Sequence, residues 1–581
     1  MSRARPPVAS RGVPRLRRPQ ATSAPAALDT AGAAVLDTAG AAVLDTAGAA
    51  VLDTEHVGDI RGALGTIGRA DLGPRPAMSA KLKTLLAIVG PGLIVMVGDN
   101  DAGAFSTYGQ AGQSFGTHLL WTLLLLVPVL YVNQEMVLRL GAVTGVGHAR
   151  LILERFGKVW GAFSVIDLFV LNALTIVTEF IGVTLATGYL GVPKVPAVVL
   201  AGLLVVGAAS TGSFRRFERI CLTLVAGSLL LLPIYLLVHP SVGQMAHGLL
   251  VPGLPKGQLS TVMLLVIAIV GTTVAPWQLF FQQSYVIDKR ITPRFIRYER
   301  VDLWLGIAVA VAGGAAMIGF SAAAAGGHGT PFTNAAGVAA ALGRHAGRIA
   351  GDLFAVALLD ASIIGACAVS LSTAYATADV LGVNHSLHRP VTKAKGFYVC
   401  YAGLVAAAGA IVLVPGAPLG LLTEGVQTLA GVLLPSATVF LLLLCNDKAV
   451  LGPWVNSRWL NAFTAAVVWV LLLLSVVLTA SVLFPAISGR AIVAILVGGA
   501  ILGMALGAFV ALSARRAPVG VADVVTEVTP GRRATWRMPA LSLLEQPLLN
   551  RQRKAGLLAL RLYLLVAFAL VIVKVVQVAV R

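Results

Sequence analysis

The sequence predicts an all-α integral membrane protein of twelve or thirteen transmembrane helices, most of them arranged as an inverted repeat. Three observations carry this. The 581 residues are 57% hydrophobic and only 12% charged, with a mean hydropathy of +0.86, a balance that soluble domains do not show. Apolar runs of about 20 residues, the length that crosses roughly 30 Å of hydrocarbon as a helix, recur from near residue 85 to the C-terminus. Two of these runs, five spans apart, are interrupted by residues that break helices.

Residues 1–80 open with the basic stretch SRARPPVASRGVPRLRRPQ and then repeat LDTAGAAV from Leu28, Leu36 and Leu44. Such small and polar residues build no core, so the segment reads as a disordered cytoplasmic tail. An Arg-rich transit peptide is the rival reading, but neither a hydrophobic signal region nor a cleavage-like site follows. The apolar runs place helices near 84–110, 116–140, 162–190, 196–211, 218–238, 259–285, 301–325, 351–381, 396–415, 420–445, 460–484 and 490–513. Residues 84–513 are thus a twelve-span core. A basic cytoplasmic linker, 514–555, joins it to an additional transmembrane helix near 556–579, within 556–581.

The net charge of +19 reflects topology rather than nucleic-acid binding. Basic residues fill alternate loops: Arg150, Arg155 and Lys158; Arg215, Arg216 and Arg219; Lys289, Arg290, Arg294, Arg297 and Arg300; Arg389, Lys393 and Lys395; Lys448 and Arg458; and Arg515 through Arg537. The intervening loops are nearly bare. This alternation is the positive-inside pattern, and it puts the N-terminus in the cytoplasm of a multi-pass protein of the cytoplasmic membrane. The four cysteines, Cys221, Cys367, Cys400 and Cys445, stand singly, without disulfide or zinc spacing.

The first interruption lies in GPGLIVMVGDNDAGAFSTYGQAG, residues 90–112, where Asp99, Asn100 and Asp101 fall in a row at mid-membrane depth. Asp, Asn and Gly all disfavour a helix interior. The second is GTTVAPWQLF, where Pro276 removes a backbone donor and clashes with the preceding turn. Pro276 alone reads as a plain kink; paired with the first break it points to a 5+5 inverted repeat of the LeuT-like kind, with discontinuous helices 1 and 6. In such folds, unwound carbonyls and half-helix ends coordinate substrate ions at the midplane. A carboxylate at a helix centre costs about 2.5 to 3.5 kcal/mol on insertion scales, and no apolar run offers Asp99 or Asp101 a basic partner. An intramembrane acid without such a partner reads as a cation site.

These residues resemble the Nramp divalent-metal transporters. The family's first span reads GPG, an apolar run, DPGN and a QAG close; here stand Gly90, Pro91, Gly92, then Asp101, Ala102, Gly103, Ala104, then Gln110, Ala111, Gly112. The family's MPHN in the sixth span corresponds to Ala275, Pro276, Trp277, Gln278, and CNDKAVLGPWVNSRWLN, residues 445–461, is similar to its loop between the tenth and eleventh helices. The resemblance implies that Asp101 is the metal-binding aspartate, directly or through water, and that Ala104 and Ala275 replace an asparagine and a methionine ligand. A thioether favours soft and borderline ions. Without it and with more room, the site suits Mg²⁺, which keeps several of its waters, and the pattern is most similar to the Nramp-related magnesium transporters. The resemblance also places Trp277, Ile176 and Gln282 where proton-linked His and Asp residues stand in the family, with Glu179 retained. Histidine exchanges protons near neutral pH and these three do not.

The sequence therefore predicts a Mg²⁺ importer, with Mn²⁺ as an alternative substrate, working by alternating access without proton coupling. It needs no cofactor, and its partners are the divalent ion and the bilayer. Expected oxygen ligands are the unwound carbonyls near Gly98 and Thr272, with Asn100 holding outer water, Asp99 attracting cations, and Trp277, Gln278 and Gln427 shaping the cavity. Gln427 alternatively bonds a neighbouring helix, Asp360 is either a second cation or proton site or a helix–helix hydrogen bond, and His345 and His385 are expected to be solvated loop residues. The rivals are a proton-coupled Mn²⁺ or Fe²⁺ importer and a cation channel, for which no ring of charges or filter loop is visible. An enzyme is disfavoured because no nucleophile–base pair or metal-ligand spacing appears.

Overall fold

The structure, a computed structural model, describes residues 53–253, 255, 259–326, 332–416, 419–484, 487–516 and 530–544, with scattered positions between 556 and 569. In chain order its α-helices are α1 (Met78–Ile88), α2 (Pro91–Val97), α3 (Ala102–Phe115), α4 (Trp121–Thr144), α5 (His148–Phe156), α6 (Lys158–Tyr189), α7 (Lys194–Ala209), α8 (Phe214–Gly227), α9 (Leu231–Val238), α10 (Val242–Leu250), α11 (Leu259–Thr273), α12 (Pro276–Asp288), α13 (Ile296–Ala324), α14 (Ala335–Ala346), α15 (Arg348–Leu381), α16 (Lys395–Val412), α17 (Leu419–Cys445), α18 (Lys448–Leu451), α19 (Arg458–Leu483), α20 (Gly489–Arg516) and α21 (Pro530–Thr535). The sheet content described is one short hairpin, β1 (Ile60–Arg61) and β2 (Thr66–Ile67), antiparallel with Ile60 opposite Ile67.

Among the described residues ten stretches are long and apolar enough to cross a membrane, and the bent pair α1 and α2 makes an eleventh. The span expected near 196–211 is the 16-residue apolar helix α7. The short helices α5, α10 and α14 were not foreseen: each is too brief to carry a full apolar run. The additional helix expected near 556–579 lies largely outside the described residues, as do residues 1–52 and 517–529.

The tail requires a correction. Residues 53–77 do not behave as a low-complexity extension. Asp53, His56, Ile60, Ala63 and Ile67 are buried, because this stretch, unlike the repeat before it, supplies apolar anchors and carboxyl groups that meet the basic loops.

Those loops share one end of the bundle. Arg155 pairs with Asp447 (2.7 Å), Arg300 and Arg139 both grip Glu135 (2.6 and 3.1 Å), and Arg150 donates to the Val380 carbonyl (3.3 Å). The part of the linker that is described docks there too: Met538 N–H donates to the Val143 carbonyl (3.2 Å), and the Arg533 guanidinium stacks 4.4 Å over Trp454. Inside, α6 runs along α15, α2 and α3 both pack on α13, and α11 packs on α17. Both halves of the first span thereby lie against the second half of the chain.

Candidate ion site at the helix breaks

The first span breaks twice. Gly90 takes φ 153°, a conformation that side-chain-bearing residues rarely adopt. Pro91 then starts α2 at a position where its missing N–H is harmless, so α1 and α2 meet at 51°. A Cβ on Gly92 would stand 2.7 Å from the Leu303 backbone, so this glycine lets α2 touch α13. From α13 the buried Asp302 carboxylate accepts the N–H groups of Gly90 (3.2 Å), Gly92 (2.6 Å) and Leu93 (3.3 Å). A side chain from a different helix thus satisfies donors that a helix start leaves orphaned.

The second break, at 98–101, is the one the sequence foresaw. α2 ends at Gly98, and Asp101, in extended conformation, caps α3 by accepting the Ala104 N–H (2.9 Å). Glu179 on α6 accepts the neighbouring Ala102 N–H (3.2 Å). Two carboxylates therefore gather on the N-terminal, positive end of α3, which lowers the cost of burying them. Both reach Gly365 of α15: a Cβ added there would stand 2.7 Å from the Glu179 carboxyl and 3.0 Å from Asp101 Cβ. The two carboxyls are within hydrogen-bond reach of one another, a pairing that a shared proton or a cation between them stabilises.

In the sixth span α11 ends at Thr273 and α12 begins at Pro276. Ala275, forced out of the helical region by the proline after it, is extended at φ −93° and ψ 145°. Gln278, in the first turn of α12, accepts from Gln134 (3.0 Å) and lies beside Asp99. Tyr108 of α3 reaches across to the Thr273 hydroxyl (2.7 Å). Gln427 of α17 fills the space beside Gly103, where any Cβ would collide with its amide. Among the described residues, five buried polar atoms around the two breaks have no hydrogen-bond partner: Asp99 Oδ1, Gln134 Oε1, Glu179 Oε1, Thr272 Oγ1 and Gln427 Nε2. Buried polar groups are almost always satisfied, and a hydrated cation satisfies the oxygen atoms of this set.

The predicted residues do not all converge. Asp99, Asp101, Gln278 and Gln427 meet at the breaks, and Thr272 ends the half-helix that packs on Gln427's helix. Asn100 turns away and donates its amide to the Ala310 carbonyl (3.0 Å). The Gly98 Cα faces Ile364 and Ala368 of α15. Trp277 is buried edge-on to Phe281 (6.0 Å) and its carbonyl accepts the Ser372 hydroxyl (2.9 Å). Ala104 contributes its backbone N–H to Asp101, and Ala275 is buried. Gln134, Gly365 and Asp302 were missed, because nothing short of the fold brings their helices to the breaks. His385 corrects the sequence expectation: it is buried and pairs with Asp379 at 2.8 Å. His345 is exposed at the end of α14. Asp360 lies against Gly227 of α8. Among the described residues no three His, Cys, Asp or Glu side chains converge as a metal cluster, so an ion held here relies on no more than two carboxylates at once, supplemented by amides, hydroxyls, carbonyls and water.

Comparison with known proteins agrees with this architecture. The family model for natural resistance-associated macrophage protein-like proteins, Nramp, matches residues 92–481. A divalent metal cation transporter, MntH 1, of Pseudomonas aeruginosa is 29% identical over 407 residues, covering 67% of this chain and 90% of its own. The MntH of Ralstonia nicotianae is 30% identical over 409 residues, with 67% and 88% covered. In structure, the Eremococcus coleocola manganese transporter superposes with a TM-score of 0.58 at 23% identity, over 77% of this chain and 99% of that one. With a model match over more than half its length and two breaks five spans apart, the chain belongs to the Nramp family and is a multi-pass membrane transporter, not an enzyme.

Proposed function

We propose that the protein imports divalent cations across the cytoplasmic membrane by alternating access, with Mg²⁺ as the principal substrate, Mn²⁺ as an alternative and no proton coupling. The ion is cargo, and no cofactor takes part. One observation carries the reading: the breaks present oxygen atoms from Asp99, Asp101, Glu179 and Thr272, while the resemblance puts Ala104 and Ala275 where the family has its amide and thioether ligands. Hard oxygen donors with room for retained water suit Mg²⁺ better than a soft ion. The relatives named for manganese and divalent metals support the broader class of cargo.

Uptake does not require a proton gradient. A divalent ion gains about 4.6 kcal/mol per 100 mV of inside-negative potential, at about 2.3 per charge. Among the described residues no imidazole lies at the break of the sixth span: Trp277 and Gln282 are buried there, as is Ile176 on α6, the residues that the resemblance sets against the family's relay, and His148 meets α12 further along, at Gln283 (3.1 Å). The basic loops gathered at one end support a cytoplasmic position for that end, and with it for the N-terminus. Glu179, held at the Ala102 N–H, favours the second reading, proton-coupled Mn²⁺ or Fe²⁺ import.

Proteoliposomes carrying a Mg²⁺-sensitive dye together with a pH dye decide between these. Mg²⁺ entry with inward current and no acidification is the expected result, and Asp101→Ala abolishes it while leaving folded protein in the membrane. Acidification that saturates with the metal overturns the uncoupled mechanism. Uptake of Mn²⁺ but not Mg²⁺ overturns the choice of ion.

A further inference from the structure

Residues 53–73 lie outside the stretch matched by the family model, yet they touch α1, α8 and the loops that follow α12 and α15 at the basic end. At the start, the Asp53 carboxylate accepts from Arg389 (2.7 to 3.0 Å) and from the His385 N–H (2.9 Å). His56 stands 3.6 Å from Asp288, its ring edge-on to that of His385 at 5.1 Å. Arg290, just past α12, donates to the Glu55 and Asp59 carbonyls (2.7 and 3.2 Å). In the hairpin, Arg215 holds the Gly62 carbonyl (3.0 Å) and the Thr66 hydroxyl, and Arg219 holds the Ala63 carbonyl (3.1 Å). Arg294 holds the Asp71, Leu72 and Gly73 carbonyls (2.5 to 3.0 Å).

Arg215 and Arg219 open the fifth span, within the first repeat; Arg290, Arg294 and Arg389 belong to the second. The segment therefore crosses from one repeat to the other. It also reaches the bend of the first span. The Ala63 N–H donates to Glu218 (2.5 Å), Glu218 pairs with buried Lys289 (2.7 Å), and Lys289 caps the Ile88 and Val89 carbonyls (2.5 and 2.9 Å), where α1 meets α2. Gly62 and Gly65 lie directly on Ala87 of α1. Polar staples accompany the buried Ile60, Ala63 and Ile67 in these contacts, and a cavity of about 440 Å³ is lined in part by Arg61 and Arg69 of the segment and by Arg215 and Arg290. Water can replace such hydrogen bonds at small net cost, so the attachment is of a kind that opens.

We propose that residues 53–73 form a strap across the two repeats, and that it must let go before the ion path opens at the basic end. Alternating access moves one repeat against the other around the site, and a tether stapled to both opposes that motion while it is closed. This rests on the transport reading, so one arm of the test uses transport and the other does not.

In the first arm, Thr66→Cys with Arg215→Cys and Leu72→Cys with Arg294→Cys, one pair on each repeat, are joined in the full-length protein by a short, reducible thiol cross-linker, with each single variant controlling for the native thiols. Mg²⁺ and Mn²⁺ uptake by the cross-linked protein falls at least about tenfold and returns on reduction; uptake at the uncross-linked rate overturns the proposal. In the second arm, Asp53→Ala is followed by hydrogen exchange, which reads local opening. Amides of residues 60–67 and of α1 exchange roughly tenfold faster together. Loosening of the hairpin with α1 unchanged overturns the link to the bend. If the wild type moves neither ion, the transport reading fails while the exchange arm still decides the strap.

Discussion

Gly365 is the most direct handle on the site that avoids its ligands. An added Cβ meets the Glu179 carboxyl at 2.7 Å and Asp101 Cβ at 3.0 Å, both well inside ordinary contact. Asp101 is fixed by its place as the cap of α3, so the flexible end of Glu179 is what yields. As it swings away, it gives up the Ala102 N–H (3.2 Å). A hydrogen bond to a charged group is worth about 1.5 to 3 kcal/mol, so Gly365→Ala weakens cation binding by roughly 10- to 150-fold. Calorimetric titration of the purified protein with Mg²⁺ and Mn²⁺ reads the affinity, and the apparent KM of uptake follows it. Wild-type affinity in a well-folded Gly365→Ala protein refutes the argument, because it means that Glu179 and Asp101 do not act on the ion together.

Other outcomes follow from the same geometry. Asp302→Ala leaves the Gly90, Gly92 and Leu93 N–H groups without their buried acceptor, at a cost of about 1 to 3 kcal/mol or more, and the melting temperature in detergent falls clearly; an unchanged melt contradicts it. Ala275→Met with Ala104→Asn adds a thioether and an amide at buried positions, and Mg²⁺ uptake is lost while Cd²⁺ or Mn²⁺ binding is gained; unchanged Mg²⁺ uptake with no Cd²⁺ response removes both positions from the ion path. Stability is also highest near pH 6.5. Burial works against charge on His385, but the Asp379 carboxylate prevails and holds its pKa at about 9, so its contribution, about 3 kcal/mol at most, is complete below 6.5 and lost as pH rises through 9. Burial pushes His56 down to about 4 despite Asp288, so stability also falls as pH drops from 6.5 toward 4. Melting curves across this range test both limbs, and His385→Gln flattens the alkaline one.

The helix breaks were legible because their causes are local: Pro276 acts on Ala275 just before it, and the Asp-Asn-Asp run can cap a helix but not continue one. Gly90, Gly92 and Gly112 could be seen as a pattern, but their reasons could not, since Gly92 and Gly112 are set by close approach to α13. Asn100 was assigned to the ion on proximity in sequence, yet one residue of rotation sends it to Ala310. Lys289 and Arg389 read as topology signals, which hid their pairing with Glu218 and Asp53 across distant parts of the chain. Residues 53–77 were misjudged because the adjoining repeat dominates the composition of the N-terminal 80. The CNDKAVLGPW stretch was recognised by resemblance alone; Asp447 caps α18 and pairs with Arg155, while Asn446 and Asn461 exchange amide bonds (2.8 and 2.6 Å).

Because the first span bends at Gly90 and breaks again at 98–101, α2 is an independent piece about 10 Å long, at 1.5 Å per residue. Asp302 anchors its start and the α3 cap follows its end. The 11-residue helix α1 is then a lever about 16 Å long pivoting at Gly90, and a turn of about 10° carries its far end about 3 Å. That is about the width of a water molecule, and Asp101 need not move for it to happen. Opening and letting go of the ion can thus be timed separately. A variant that stiffens Gly90 will slow the first without touching the second, so occupancy of the site and flux through it should respond to different mutations.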